Sequence, residues 1–187
     1  MLAGNAIGAG NDVAHVQLGW PGLSGTLLHG LTDKADVGGR FSFNYGYEGI
    51  TEVTPGFKLQ GVLRLELMDT PRYNLGLRFD PGFLLYFDNM FPDDIMFGLT
   101  IPVALTFGLP INRQVMLNFG MDVPFFFAVN FEQFVVPILF GGGVEYQLDE
   151  NMAITFNTRF GPAIVAADRG SDSDFAFQML FGLAFKL

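Results

Sequence analysis

From Phe175 to Leu187 every second residue is large and apolar: Phe175, Phe177, Met179, Phe181, Leu183, Phe185 and Leu187. Between them stand Ala176, Gln178, Leu180, Gly182, Ala184 and Lys186. Side chains of an extended chain point alternately to opposite faces, so a period of two held over this length predicts one long β-strand with two chemically different faces.

The same period recurs over residues 37–48, 57–67, 73–87, 95–109, 115–127, 138–148 and 152–164. In 37–48, Val37, Gly39, Phe41, Phe43, Tyr45 and Tyr47 share one face, and Gly38, Arg40, Ser42, Asn44, Gly46 and Glu48 the other. Two shorter blades, 14–20 (Val16, Leu18 and Trp20 outward) and about 23–31, precede these and bring the expected number of strands to ten, with eight as the alternative. Connectors alternate between short ("TDKAD", "MDTPR", "PINRQ", "LDEN") and longer ("GITEVTP", "DNMFPDD", "NFEQF", "AADRGSDSD"). That is the rhythm of an antiparallel meander with tight turns at one end and looser loops at the other, and transmembrane barrels show it.

A soluble sandwich also alternates, but its polar face meets water and carries charge freely. The second face of 95–109 is Met96, Gly98, Thr100, Pro102, Ala104, Thr106 and Gly108, without a charge. Small, mildly polar residues suit the crowded inside of a narrow closed barrel. The large residues then face hydrocarbon. Blade length agrees: a membrane strand needs roughly 9–11 tilted residues, whereas soluble strands cluster near five or six. The expected fold class is therefore all-β, a transmembrane antiparallel up-and-down β-barrel over residues 13–187, with residues 1–12 a flexible tail.

Composition narrows the picture. With 22 Phe, 24 Gly and 16% charged residues, the chain is greasier than a typical soluble domain. Its longest apolar runs, such as "VPFFFAV" (123–129), are far too short for a membrane helix. Zero cysteines exclude disulfides and thiolate chemistry. The aromatics carry position as well: Trp20, Tyr45, Tyr47, Tyr73, Tyr86 and Tyr146 all fall near blade ends, where membrane-interface aromatics sit.

The C-terminal blade resembles the last-strand signature by which Gram-negative outer-membrane barrels are recognised for assembly. Those usually end in Phe or Trp, whereas here Leu187 is last and Phe185 stands two before it. "HGLTDKADVGG" (29–39) likewise resembles strand, periplasmic turn and strand in small outer-membrane proteins. The resemblance implies a small Gram-negative outer-membrane β-barrel protein with both termini periplasmic, in contact with outer-membrane lipids and lipopolysaccharide. It names no subfamily.

Charge then separates inside from outside. Arg40, Lys58, Arg64, Arg78, Arg159 and Lys186 oppose Glu48, Glu66, Asp80, Asp122 and Glu145 on the faces assigned to the lumen, which is nearly neutral. Matched charges pair off, because an unpaired ion in a narrow interior is costly. The expected function is a structural or accessory barrel with a closed or very narrow lumen; a narrow diffusion pore and a docking subunit of an envelope complex are the alternatives. The net charge of −9 arises in the longer loops. There Asp88, Asp93, Asp94, Asp168, Asp172 and Asp174 are candidate ligands for a divalent cation, without EF-hand spacing. So acidic a surface excludes nucleic acid.

No cofactor motif occurs, and "GGG" at 141–143 lacks the helix and Lys-Ser/Thr of a phosphate loop. Catalysis is not expected. The only histidines, His15 and His29, lie toward the turn end, while Ser171 and Ser173 sit toward the loop end. Pro102 and Pro124 fall inside blades and predict bulges or kinks.

Overall fold

The computed structural model describes residues 4–46, 54–87, 95–129, 133–167 and 170–187, and all regular structure among them is β. The hydrogen-bonded segments are β1 (Asp12–Trp20), β2 (Gly22–Thr32), β3 (Ala35–Asn44), β4 (Gly56–Asp69), β5 (Asn74–Phe79), β6 (Gly82–Phe87) and β7 (Ile95–Thr100). They continue as β8 (Val103–Pro110), β9 (Val115–Val123), β10 (Phe126–Ala128), β11 (Gln133–Pro137), β12 (Leu139–Gln147), β13 (Met152–Ala167) and β14 (Gly170–Lys186).

β5 with β6, β7 with β8, β9 with β10 and β11 with β12 are each one continuous path of chain interrupted near its middle. Register runs unbroken across each interruption: β4 pairs with both β5 and β6, and β13 with both β11 and β12. Ten staves result, every neighbouring pair antiparallel, and the last closes on the first as β14 pairs β1 from Val13 opposite Lys186 to Trp20 opposite Met179. A closed antiparallel barrel of ten staves is the predicted architecture, and closure removes the free edges that an open sheet would expose.

The alternation read in the sequence is the alternation of the wall. Leu59 is 63% exposed and its neighbour Gln60 4%; Leu27 is 62% exposed and Thr26 3%. A soluble protein would bury the leucines, so the exterior is that of a barrel whose solvent is lipid.

The interruptions have a common cause. Register places Asp80, Pro102, Pro124 and Pro137 opposite one another across four successive staves. Proline lacks the N–H that a ladder needs. Asp80 N still donates to Pro102 O at 3.0 Å, but the reciprocal bond cannot form, and Gln60 Nε2 reaches across the lumen side to satisfy Asp80 O at 3.0 Å. Ile101 N donates to Phe125 O (2.9 Å), while Phe125 N turns back to Val123 O (2.9 Å). The next residue, Pro124, therefore turns its backbone toward Pro137, where neither proline can donate. Pro102 and Pro124 thus interrupt the ladder without the bulge expected of them, since the register on either side of each is the same.

Along the axis the interior changes character. Its loop-end half is filled by Leu84, Tyr86, Phe126, Ala128, Val135, Leu139, Ala163 and Ala176. The middle is polar and charged. The turn-end mouth is covered by residues 4–11, where the absence of a period predicts a flexible tail. Ala6 N donates to Glu66 Oε2 (3.0 Å), Ile7 N to Asp36 Oδ1 (3.0 Å) and Gly10 N to Gly30 O (2.8 Å). A tail rich in Gly and Asn gives no periodic signal, so its seat was invisible before the mouth was assembled.

Candidate functional site

The polar middle encloses a chamber of about 180 Å³. Each wall supplies charges because inward positions recur every second residue: Arg40 from β3, Lys58 and Arg64 from β4, Arg78 from β5, Asp122 from β9, Glu145 from β12 and Arg159 from β13. Asp80 stands where the fifth stave breaks, 1% exposed, with Arg40 Nη1 at 2.9 Å and Arg78 Nε at 3.0 Å from the same oxygen, Oδ2. Arg40 Nε also donates to Thr26 Oγ1 at 2.9 Å. Across the lumen Arg159 Nε pairs with Asp122 Oδ2 at 2.7 Å, and toward the mouth Arg64 Nη1 lies 3.3 Å from Asp36 Oδ2.

Of these four ion pairs, Arg40–Asp80 and Arg159–Asp122 each reach over an intervening stave, Arg64–Asp36 joins register partners on β4 and β3, and Arg78–Asp80 lies within one stave. Buried pairs of this kind gain little over an apolar core, yet removing one partner strands a charge at a cost of about 3–5 kcal/mol. Glycines make the room: a Cβ on Gly120 would stand 3.1 Å from Arg159 Nη1, and Gly141 O accepts from the same nitrogen at 3.4 Å. Gly120 therefore leaves wall space for the guanidinium, whereas Gly141 and Gly143 of the "GGG" run let the neighbouring backbone approach, a Cβ on either colliding with a β13 carbonyl oxygen. Asp80 Oδ1 and Asp122 Oδ1 are buried and accept no bond from any described protein donor, so they offer acceptors to whatever occupies the chamber.

Of the lumen residues read from the sequence, Arg40, Lys58, Arg64, Arg78, Asp80, Asp122, Glu145 and Arg159 line the chamber. Glu66 lies nearer the mouth, where it holds Ala6. Lys186 departs from its assignment: it has the inward parity but is the last residue of β14, at the turn-end rim of the wall opposite Val13, and is exposed. Glu48 lies outside the described residues. Asp36, fully buried, was missed; carrying the alternation of 37–48 back by one turn of the period would have found it.

The aromatics divide. Trp20 stacks on Phe177 and meets Tyr45 edge-on, both at 5.7 Å between ring centres, at the loop end. The Tyr45 hydroxyl donates to Gly19 O. Tyr73, stacked on Phe107 at 5.4 Å, and Tyr146, 41% exposed, mark the turn end. Tyr86 is a correction: it is 1% exposed and its hydroxyl accepts from Asn44 Nδ2 at 2.9 Å, so it belongs to the interior. It sits near a strand end, as interface aromatics do, but its parity points inward. Tyr47 lies outside the described residues.

Asp172 and Asp174 are exposed on β14, each bonding the next backbone N–H at 2.7 Å. Asp88, Asp93, Asp94 and Asp168 lie outside the described residues, and among the described residues no three acidic, His or Cys side chains gather as metal ligands. His15 is buried, Nε2 3.1 Å from Thr155 Oγ1. His29 faces outward, Nδ1 2.8 Å from Asp12 Oδ1. Ser171 lies 13 residues along β14 from Ala184, the register partner of His15. At about 3.3 Å per residue that is roughly 40 Å, too far for proton transfer.

No protein-family model matches the chain. No curated protein matches its sequence. Similar solved structures include the outer membrane protease OmpT from Escherichia coli (TM-score 0.49, 10% identity, covering 96% of this chain and 94% of that one). Another is the N-terminal β-barrel domain of Pseudomonas aeruginosa OprF (TM-score 0.38, 13% identity, 95% and 96% covered). A third is the KdgM porin in complex with disordered oligogalacturonate (TM-score 0.42, 8% identity, 95% and 99% covered).

Proposed function

We propose that the protein is an integral outer-membrane barrel of structural or accessory role that does not conduct ions, with its turn end and both termini toward the periplasm. The observation that supports this best is a lumen obstructed in series. Apolar side chains fill the loop-end half, Arg–Asp pairs brace the middle, and residues 4–11 cross the turn-end mouth. An ion crossing that path would have to leave water beside Leu84, Phe126 and Leu139, where nothing replaces its hydration. Lipid, with lipopolysaccharide in the outer leaflet, surrounds the wall in this reading. Reconstitution into a planar bilayer tests it: the expected trace is flat, and reproducible single-channel steps would establish the pore reading instead.

A further inference from the structure

We infer that residues 4–11 are a releasable lid, and that the charged chamber behind it is a dead-ended site for small polar solutes entering from the turn end. This goes beyond the non-conducting barrel, since a sealed barrel needs no seat that can empty.

The lid is fitted to the mouth on two sides. Its backbone rests on acidic side chains of one arc of the rim: Ala6 N on Glu66 and Ile7 N on Asp36, both at 3.0 Å, with Ala9 N on Asp33 at 3.3 Å. Arg64 Nη2 donates to Asn5 O at 2.6 Å. On the opposite arc the Ile7 side chain packs against Val13, Ala153 and Ala184, so a single residue stoppers the opening. Wall glycines admit the lid's backbone: a Cβ on Gly76 would stand 2.6 Å from Gly4 O.

The attachments are those of a cover more than of a stave. Apart from the anchor at Gly10 and Asn11 beside Gly30, the lid joins no ladder. It holds by separate hydrogen bonds to carboxylates and from Arg64, each of which water can replace, and by one apolar side chain. Gly4, Gly8 and Gly10 have φ of 81°, 84° and 75°, a left-handed backbone that glycine adopts without strain and that hinges the segment at both ends.

Directly beneath the lid is a pocket of about 40 Å³, lined in part by Arg64, Arg78 and Thr106. The same three residues line the larger chamber. Two side chains on flexible stems therefore separate the mouth from the chamber, and the apolar cluster closes its far end.

The chain has no cysteine, so a single introduced thiol reports access. Thr106→Cys is placed in the detergent-folded full-length protein, and its alkylation by iodoacetamide is timed. The same is done with Ala6→Pro/Ile7→Pro added, which removes two of the lid's donors and its stopper while leaving the wall intact. Heat-dependent gel migration verifies that each variant is folded. The expected result is alkylation at least tenfold faster in the lid variant. Equal rates, or a full-length rate already matching unfolded protein, would overturn the inference. A peptide of residues 1–11 added to a variant lacking residues 2–9 is expected to slow alkylation again; no slowing would refute a seat that empties and refills. All rates are read in detergent, so they stand apart from whether the bilayer protein conducts.

Discussion

At the scale of single residues, the interior is governed by the cost of an ion without a partner. Asp80 serves two arginines through one oxygen, so Asp80→Ala leaves Arg40 and Arg78 facing each other. The expected loss is about 3–5 kcal/mol, measured by urea unfolding in lipid vesicles; an unchanged midpoint would mean that chamber water already carries the charge. Tyr86→Phe removes the acceptor for Asn44 Nδ2 and should cost about 1 kcal/mol without altering membrane insertion. An insertion defect would return Tyr86 to the interface role that its place near a strand end first implied. The charges of the chamber were legible because inward positions follow from parity alone. Which arginine meets which aspartate was not, since Arg40 and Asp80 are 40 positions apart and meet only once the barrel closes.

At the scale of elements, the sequence showed long blades and the structure shows four of them broken. Alternation survives each break because register is continuous through it. That is why periodicity found the staves and passed over the gaps. The prolines gave warning, but their alignment across staves depends on register, which no single blade contains. At the Pro124–Pro137 pair both ladder bonds are missing. Amides flanking it should exchange with deuterium faster than those of the unbroken β13–β14 pair, and Pro124→Ala/Pro137→Ala should slow them; uniform protection around the barrel would contradict the break. The lid escaped the reading for another reason. Its partners are carboxylates of the rim, and "GNAIGAGN" has neither period nor charge to announce them.

At the scale of the whole molecule, two sets of side chains divide the work: large apolar ones meet lipid, while small, charged and amide-bearing ones meet each other. The loop-end half modifies that rule, since "FLLYF" and "VPFFFAV" are apolar on both faces and fill the lumen as well as coat the wall. Truncating two members of this filling, Phe126→Ala with Leu84→Ala, in a variant also lacking residues 2–9, should admit small currents in a planar bilayer; a trace as flat as the parent's would place the seal at the ion pairs instead.

The orientation of the wall is tested most directly by neighbouring single cysteines at Leu59 and Gln60, each carrying an environment-sensitive fluorophore, in vesicles of brominated lipid. Strong quenching at 59 and little at 60 is the result predicted here. Equal quenching at both, or the reverse order, would contradict a barrel whose large hydrocarbon side chains face the bilayer.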